Sequence, residues 1–316
     1  MLDVVLFLLG LGGVLLGAEW LVRGAARLGV LLGVAPVVIG LTLVAFGTSA
    51  PEMAVSGLAS AQGHPETAIG NVLGSNIANL GLVLGIAAII TPLSCHRGMV
   101  RRDVPLMLGL SFLFLALAHT GTYERWMGAA MLAGLAVYLF FAFRAREAIP
   151  LDPGVEITDP LPREAVTRRE VLRSAGFVVA GLVLLIGGGI VLVDSAEAIA
   201  LRLGVSELVV AATLVAVGTS VPEMAATFLA AIRRHADIAV GGIIGSNIFN
   251  LLAVVGIGAS VRPIEIASDV RNKEFLWMVG FAVLAAVVAR TGYRIGRREG
   301  LVLFGAYVVF SVVVFL

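Results

Sequence analysis

Cysteine occurs once in the 316-residue chain, at Cys95, so no intrachain disulfide can form and the residue reads as a free loop thiol. Histidine is almost as scarce, with His64, His96, His119 and His235 all in predicted loops or at the ends of apolar runs. A serine such as Ser49 or Ser220 therefore has no base beside it, and an intramembrane hydrolase is not supported. Charge is also sparse: 14% of residues are charged against 59% hydrophobic, and mean hydropathy is +1.03. A water-soluble fold is excluded.

What is present is long apolar sequence. A helical span needs about 20 mostly apolar residues. About ten such segments are expected, near 3–27, 34–60, 66–90, 104–119, 126–143, 174–198, 205–230, 237–259, 275–290 and 300–316. The fold class is an all-α polytopic membrane protein. The first segment opens Met1-Leu2-Asp3 without a basic stretch and is read as a retained span rather than a signal peptide. The net charge of +1 says little, but the placement of basic residues does. With the N-terminus outside, 17 of the 22 basic residues fall on the cytoplasmic side, and Arg125, Arg202, Arg262, Arg271 and Lys273 fall outside. Both termini are then expected on the non-cytoplasmic face of a multi-pass cell (plasma or inner) membrane protein.

The chain also repeats itself. Residues 33–86 align with 204–257 without a gap at an offset of 171, and 28 of the 54 pairs are identical. Gly47-Thr48-Ser49-Ala50-Pro51-Glu52 matches Gly218-Thr219-Ser220-Val221-Pro222-Glu223, and Gly74-Ser75-Asn76-Ile77-Ala78-Asn79 matches Gly245-Ser246-Asn247-Ile248-Phe249-Asn250. Five spans per copy is an odd number, so the second copy enters from the opposite side and the repeat is inverted, an architecture of transporters. The expected organisation is a first five-helix repeat over 1–143, a polar cytoplasmic linker over 144–173 and a second repeat over 174–316. Asp152, Glu156 and Asp159 in the linker read as solvated acids rather than a regulatory site.

An ionised carboxylate in the bilayer core is costly, so Glu52 and Glu223, each inside the second span of its copy, are functional candidates. Thr48 and Ser49 lie four and three residues before Glu52, as Thr219 and Ser220 do before Glu223, placing them on one helical face. Pro51 and Pro222 lack an N–H and break the helix, and the Ala45 and Ala216 carbonyls are nominated to face a cation. Ser75 and Asn79, like Ser246 and Asn250, are four apart and add neutral oxygens. Two carboxylates among hydroxyls, amides and carbonyls, with no His or Cys, suit calcium and sodium rather than soft metals. A site of charge −2 accepts one calcium ion or two sodium ions, which is the physical condition for exchange. Asn76 and Asn247 are assigned to holding helices together. His64 and His235 read as loop residues. Glu19, Asp194 and Glu197 either border the ion path or sit at helix interfaces, the second being favoured.

The paired Gly-Thr-Ser-x-Pro-Glu and Gly-Ser-Asn-Ile-x-Asn blocks resemble the two α-repeats of the calcium/cation antiporter superfamily, in its sodium/calcium exchanger branch of prokaryotic type. The resemblance implies that spans two, three, seven and eight form the ion-binding core while the first and sixth slide across it. It implies as ligands the Ala45 and Ala216 carbonyls, Thr48, Ser49, Glu52, Ser75, Asn79, Thr219, Ser220, Glu223, Ser246 and Asn250. Asn250 stands where potassium-dependent relatives carry aspartate, which argues against a potassium requirement. The Gly-Asn-x-x-Glu pattern of the proton/calcium branch is absent, which favours sodium over protons. The expectation is a secondary antiporter exchanging Ca2+ for Na+ by alternating access, not an enzyme, with no cofactor. Its partners are the two ions and the lipid bilayer, with no nucleic acid and the chain acting as a monomer. A proton-coupled divalent-cation antiporter and a passive cation channel are the competing readings.

Overall fold

The computed structural model describes residues 2–144, 167–203 and 218–315. Lipid offers no hydrogen bonds, so apolar runs must satisfy their own backbone groups, and they do so as helices. The first repeat comprises α1 (Leu2–Leu32), α2 (Pro36–Thr48), α3 (Ala50–Gln62), α4 (65–90), α5 (Arg97–Ala118) and α6 (Arg125–Arg144). The second comprises α7 (Arg168–Arg202), α8 (Val221–Ile232), α9 (Ala236–Val261), the short α10 (Ser268–Asn272), α11 (Glu274–Arg290) and α12 (Arg297–Phe315). Each expected span coincides with one of these helices, except that the second is divided between α2 and α3 and that the start of the seventh, with Ala216, lies outside the described residues.

Two boundaries differ from expectation. α1 and α7 run 31 and 35 residues. At 1.5 Å per residue they measure roughly 45 and 50 Å, more than the ~30 Å hydrocarbon layer, so they must tilt. The last six residues of the expected linker belong to α7, because Thr167 accepts the Glu170 N–H while the Glu170 carboxylate returns to the Thr167 N–H, a reciprocal cap. A local cap of this kind overrides the polarity that had suggested loop.

α1 and α7 pack antiparallel through glycine. A Cβ at Gly10, Gly17, Gly181 or Gly188 would lie within 2.7 Å of a backbone nitrogen of the other helix, so only hydrogen fits. Gly10 and Gly181, and Gly17 and Gly188, are separated by the same 171 residues as the repeat. The inverted duplication thus extends upstream of residue 33. α9 is buried throughout its most apolar stretch, against α2, where a Cβ at Gly245 would meet the Leu41 carbonyl at 2.6 Å.

Two short antiparallel ladders join the copies. β1 (Leu93–Ser94) pairs with β4 (Arg294–Ile295) on one face, and β2 (Thr122–Tyr123) pairs with β3 (Ile264–Glu265) on the other. Cys95 follows β1 and is buried with its N–H on the Tyr293 carbonyl; it is free, as expected, but not exposed.

Candidate cation site

Pro51 stops α2 from continuing: the chain bends by 44° between Thr48 and Ala50, with Ser49 at φ −80°, ψ 4° as the hinge. Glu52 is thereby placed in the first turn of the new helix α3. Glu223 occupies the same place in α8 after Ser220. Helix N-termini carry partial positive charge, which favours a carboxylate there, while the C-terminal carbonyls of α2 point toward the same break.

The break overturns one sequence expectation. Thr48, Ser49 and Glu52 do not share a continuous helical face, because the helix ends between them. Their hydroxyls reach across the pseudo-symmetric centre instead. The Ser49 hydroxyl donates to Glu223 Oε1 at 3.5 Å, and Thr48 Oγ1 lies 3.2 Å from Ser246 Oγ. Ser75 donates to Glu52 Oε1 at 3.5 Å. The Ala45 carbonyl is buried but not freed: it accepts the Ser49 N–H at 3.0 Å and faces Thr48 Oγ1 at 3.5 Å.

Thr48, Ser49, Glu52, Ser75, Asn79, Ser220, Glu223, Ser246 and Asn250 are all buried, and Thr219 is half-buried. Within this dry cluster five side-chain oxygens have no hydrogen-bond partner: Glu52 Oε2, Glu223 Oε2, Asn79 Oδ1, Asn250 Oδ1 and Ser220 Oγ. Buried polar atoms are ordinarily paired, so a group of acceptors left open makes this cluster the candidate site for a cation. A cavity of about 10 Å3, enough for one small ion or water, touches Thr48, Glu223, Thr227 and Ser246.

Asn79 and Asn250 each open a five-residue π-helical turn, over Asn79–Val83 and Asn250–Val254. A π-turn widens the helix and re-aims its side chains, and such turns are frequent at functional sites. Asn76 links two helices, as expected: its Oδ1 accepts from Asn250 Nδ2 at 3.1 Å. Asn247 Nδ2 instead donates to the Ile243 carbonyl one turn back in its own helix, at 2.8 Å.

One residue escaped the sequence reading. Asn71 of α4 donates to Ser56 Oγ at 2.9 Å and to the Glu52 carbonyl at 3.4 Å, and accepts from Thr219 Oγ1 at 3.5 Å, tying the first copy's glutamate to the second copy's threonine. Its repeat counterpart is Gly242, so a search for duplicated residues passes over it. The signal was its i, i+4, i+8 spacing with Ser75 and Asn79.

Of the remaining acids, Glu19 sits at a helix interface, paired with Arg23 and with Arg233 at 2.8 Å. Asp194 does not: it is exposed on a cleft of about 360 Å3 between α3, α7 and α8 that reaches Thr219 and Pro222. His64 and His235 precede α4 and α9, in loops as expected.

A membrane-spanning inverted repeat enclosing two carboxylates and open neutral oxygens defines a cation transporter. The family model described as sodium/calcium exchanger protein matches residues 2–144 and 173–316, and the chain belongs to that family. It is therefore a membrane antiporter of cations, from a family of transporters. It is 36% identical to the putative antiporter CaxA of Alkalimonas amylolytica over 98% of this chain and 97% of that one. It is 32% identical to the sodium/calcium exchanger MaX1 of Methanosarcina acetivorans, over 99% and 98%. Among solved structures, the sodium-calcium exchanger NCX_Mj superimposes with a TM-score of 0.83 at 30% identity, covering 98% of this chain and 97% of that one.

Proposed function

We propose that the chain exchanges Ca2+ for Na+ at one site formed by Glu52, Glu223, Thr48, Ser49, Ser75, Asn79, Thr219, Ser220, Ser246 and Asn250, with the Ala45 carbonyl at its edge; Ala216, its repeat counterpart, lies outside the described residues. The observation that carries the reading is the set of five open, buried oxygens contributed by both copies. Calcium takes six to eight oxygen ligands at 2.3–2.6 Å in a flexible shell, and a mixed cage of carboxylates, amides and hydroxyls suits it. Two carboxylates balance one Ca2+ or two Na+, so the substrates compete for the cage rather than sharing it.

Sodium is favoured over protons because hydroxyl oxygens stand 3.5 Å from each glutamate, on Ser75 and Ser49, where an alkali ion finds neutral ligands. The similarity to MaX1, a sodium/calcium exchanger, points the same way. The cleft beside Asp194 opens the site toward the face that carries few basic residues, the non-cytoplasmic side of a cell membrane. The test is calcium uptake into proteoliposomes. A sodium gradient alone drives uptake; uptake driven only by a pH gradient with sodium absent overturns sodium coupling. Net calcium leak without any counter-ion would identify a channel instead.

A further inference from the structure

We propose that the groove between α5 and α6 holds one anionic phospholipid, with its phosphate between Arg102 and Arg144 and an acyl chain along the apolar wall. The groove encloses about 720 Å3, and Leu106, Leu110, Val137 and Phe141 line it. Its floor is Leu252, inside the π-turn opened by Asn250, so the occupant touches the turn that presents a candidate ion ligand.

The polar end of this groove carries unused donors. Asp103 is buried and is taken by Arg102, whose Nε and Nη2 donate to it, each with a 3.1 Å contact. Arg144, exposed and lying 5.8 Å above the Phe140 ring, brings a second guanidinium. Two cations against one carboxylate leave one net positive charge. Tyr138, 7% exposed, lines the same end with its hydroxyl beside the Asp103 carboxylate that Arg102 already engages. A phosphodiester supplies the oxygen acceptors that these donors lack.

The duplication provides an internal comparison. The 171-residue offset carries Arg102, Asp103 and Ala142 onto Lys273, Glu274 and Val313, which line a second groove, of about 570 Å3, at the opposite face. There one cation meets one carboxylate, and the residue equivalent to Arg144 is Phe315. The groove itself thus comes with the repeat, whereas the excess positive charge belongs to the α5–α6 groove alone. That groove lies on the face richest in basic residues, where anionic headgroups draw cationic side chains. A free phosphate ion would meet the donors but leave the apolar wall bare; a phospholipid covers both. The inference does not depend on which ion drives exchange.

The test is native mass spectrometry of the full chain, purified in detergent and incubated with equal phosphatidylglycerol and phosphatidylcholine of matched chain length. One phosphatidylglycerol is retained in preference to phosphatidylcholine by about fivefold or more, an electrostatic preference. Arg144→Ala abolishes the preference. Gly134→Phe fills the groove, where the only atom near a new Cβ is Leu252 Cδ2 at 3.8 Å, and removes both lipids. Equal retention of the two lipids by the wild type, or a preference unchanged by both variants, overturns the proposal. So does displacement of phosphatidylglycerol by millimolar inorganic phosphate, which would reduce the site to a free-anion site. Retention of neither lipid also overturns it.

Discussion

Glu52 and Glu223 are the two carboxylates of the proposed cage, and each lies in the first turn of its helix with one carboxylate oxygen open. Replacing either by Gln keeps the volume and removes the charge. Breaking a buried ionic contact costs about 3–5 kcal/mol, so Glu52→Gln and Glu223→Gln should lower apparent calcium affinity by about a hundredfold or more. Calcium flux in proteoliposomes, with the folded state checked by size-exclusion chromatography, decides this; wild-type exchange in either variant would remove that glutamate from the site. Asn250→Asp works in the other direction, adding a third negative charge beside an oxygen that is already open. Affinity of oxygen cages rises with ligand charge, so the calcium concentration for half-maximal exchange should fall about threefold or more. An unchanged or higher value would place Asn250 outside the cage. These positions were legible in the sequence because a costly residue recurs at a fixed offset. Asn71 was not, because it occurs in one copy only. The partners of Ser49 and Thr48 were also hidden, since the helix break sends hydroxyls across to the other copy, and local spacing describes only an unbroken helix.

The helix break at Pro51 was readable from the missing N–H, whereas the π-turns at Asn79 and Asn250 were not. An i to i+5 turn has no residue signature and arises from packing around the site. The α1–α7 contact is likewise a property of two elements rather than of a motif. Glycine lets the two backbones touch at those points, so α1 and α7 pack as one unit. A side chain at Gly17 must push the helices apart, at about 1–3 kcal/mol for overpacking. Gly17→Leu should therefore cut the exchange rate by about tenfold, while Gly12→Leu, where a Cβ meets nothing within 4 Å, should leave it unchanged. Equal rates for both would show that the close α1–α7 approach does not govern transport.

Across the whole molecule, the duplication organises more than the ion site: it places glycines in α1 and α7, an acid–base pair at the heads of α5 and α11, and one strand ladder on each face. The ladders were invisible in the sequence, since two-residue strands carry no alternation to read. They have a chemical consequence at Cys95, where burial and the nearby Asp237 carboxylate push the thiol up to about 12. Only the thiolate reacts with maleimide, so at pH 8 Cys95 should label at least about a hundredfold more slowly in the folded protein than in denaturant. Rapid labelling would mean that the β1–β4 face opens. This protection makes the chain its own background for testing orientation. Arg101 is exposed on the β1–β4 side, where the basic loops cluster, and Thr120 is exposed on the β2–β3 side. If basic loops face the cytoplasm, a membrane-impermeant maleimide added to intact cells should label Thr120→Cys and spare Arg101→Cys until the membrane is permeabilised. The reverse pattern would invert the molecule, turning the cleft beside Asp194 toward the cytoplasm and placing the positively charged α5–α6 groove in the outer leaflet.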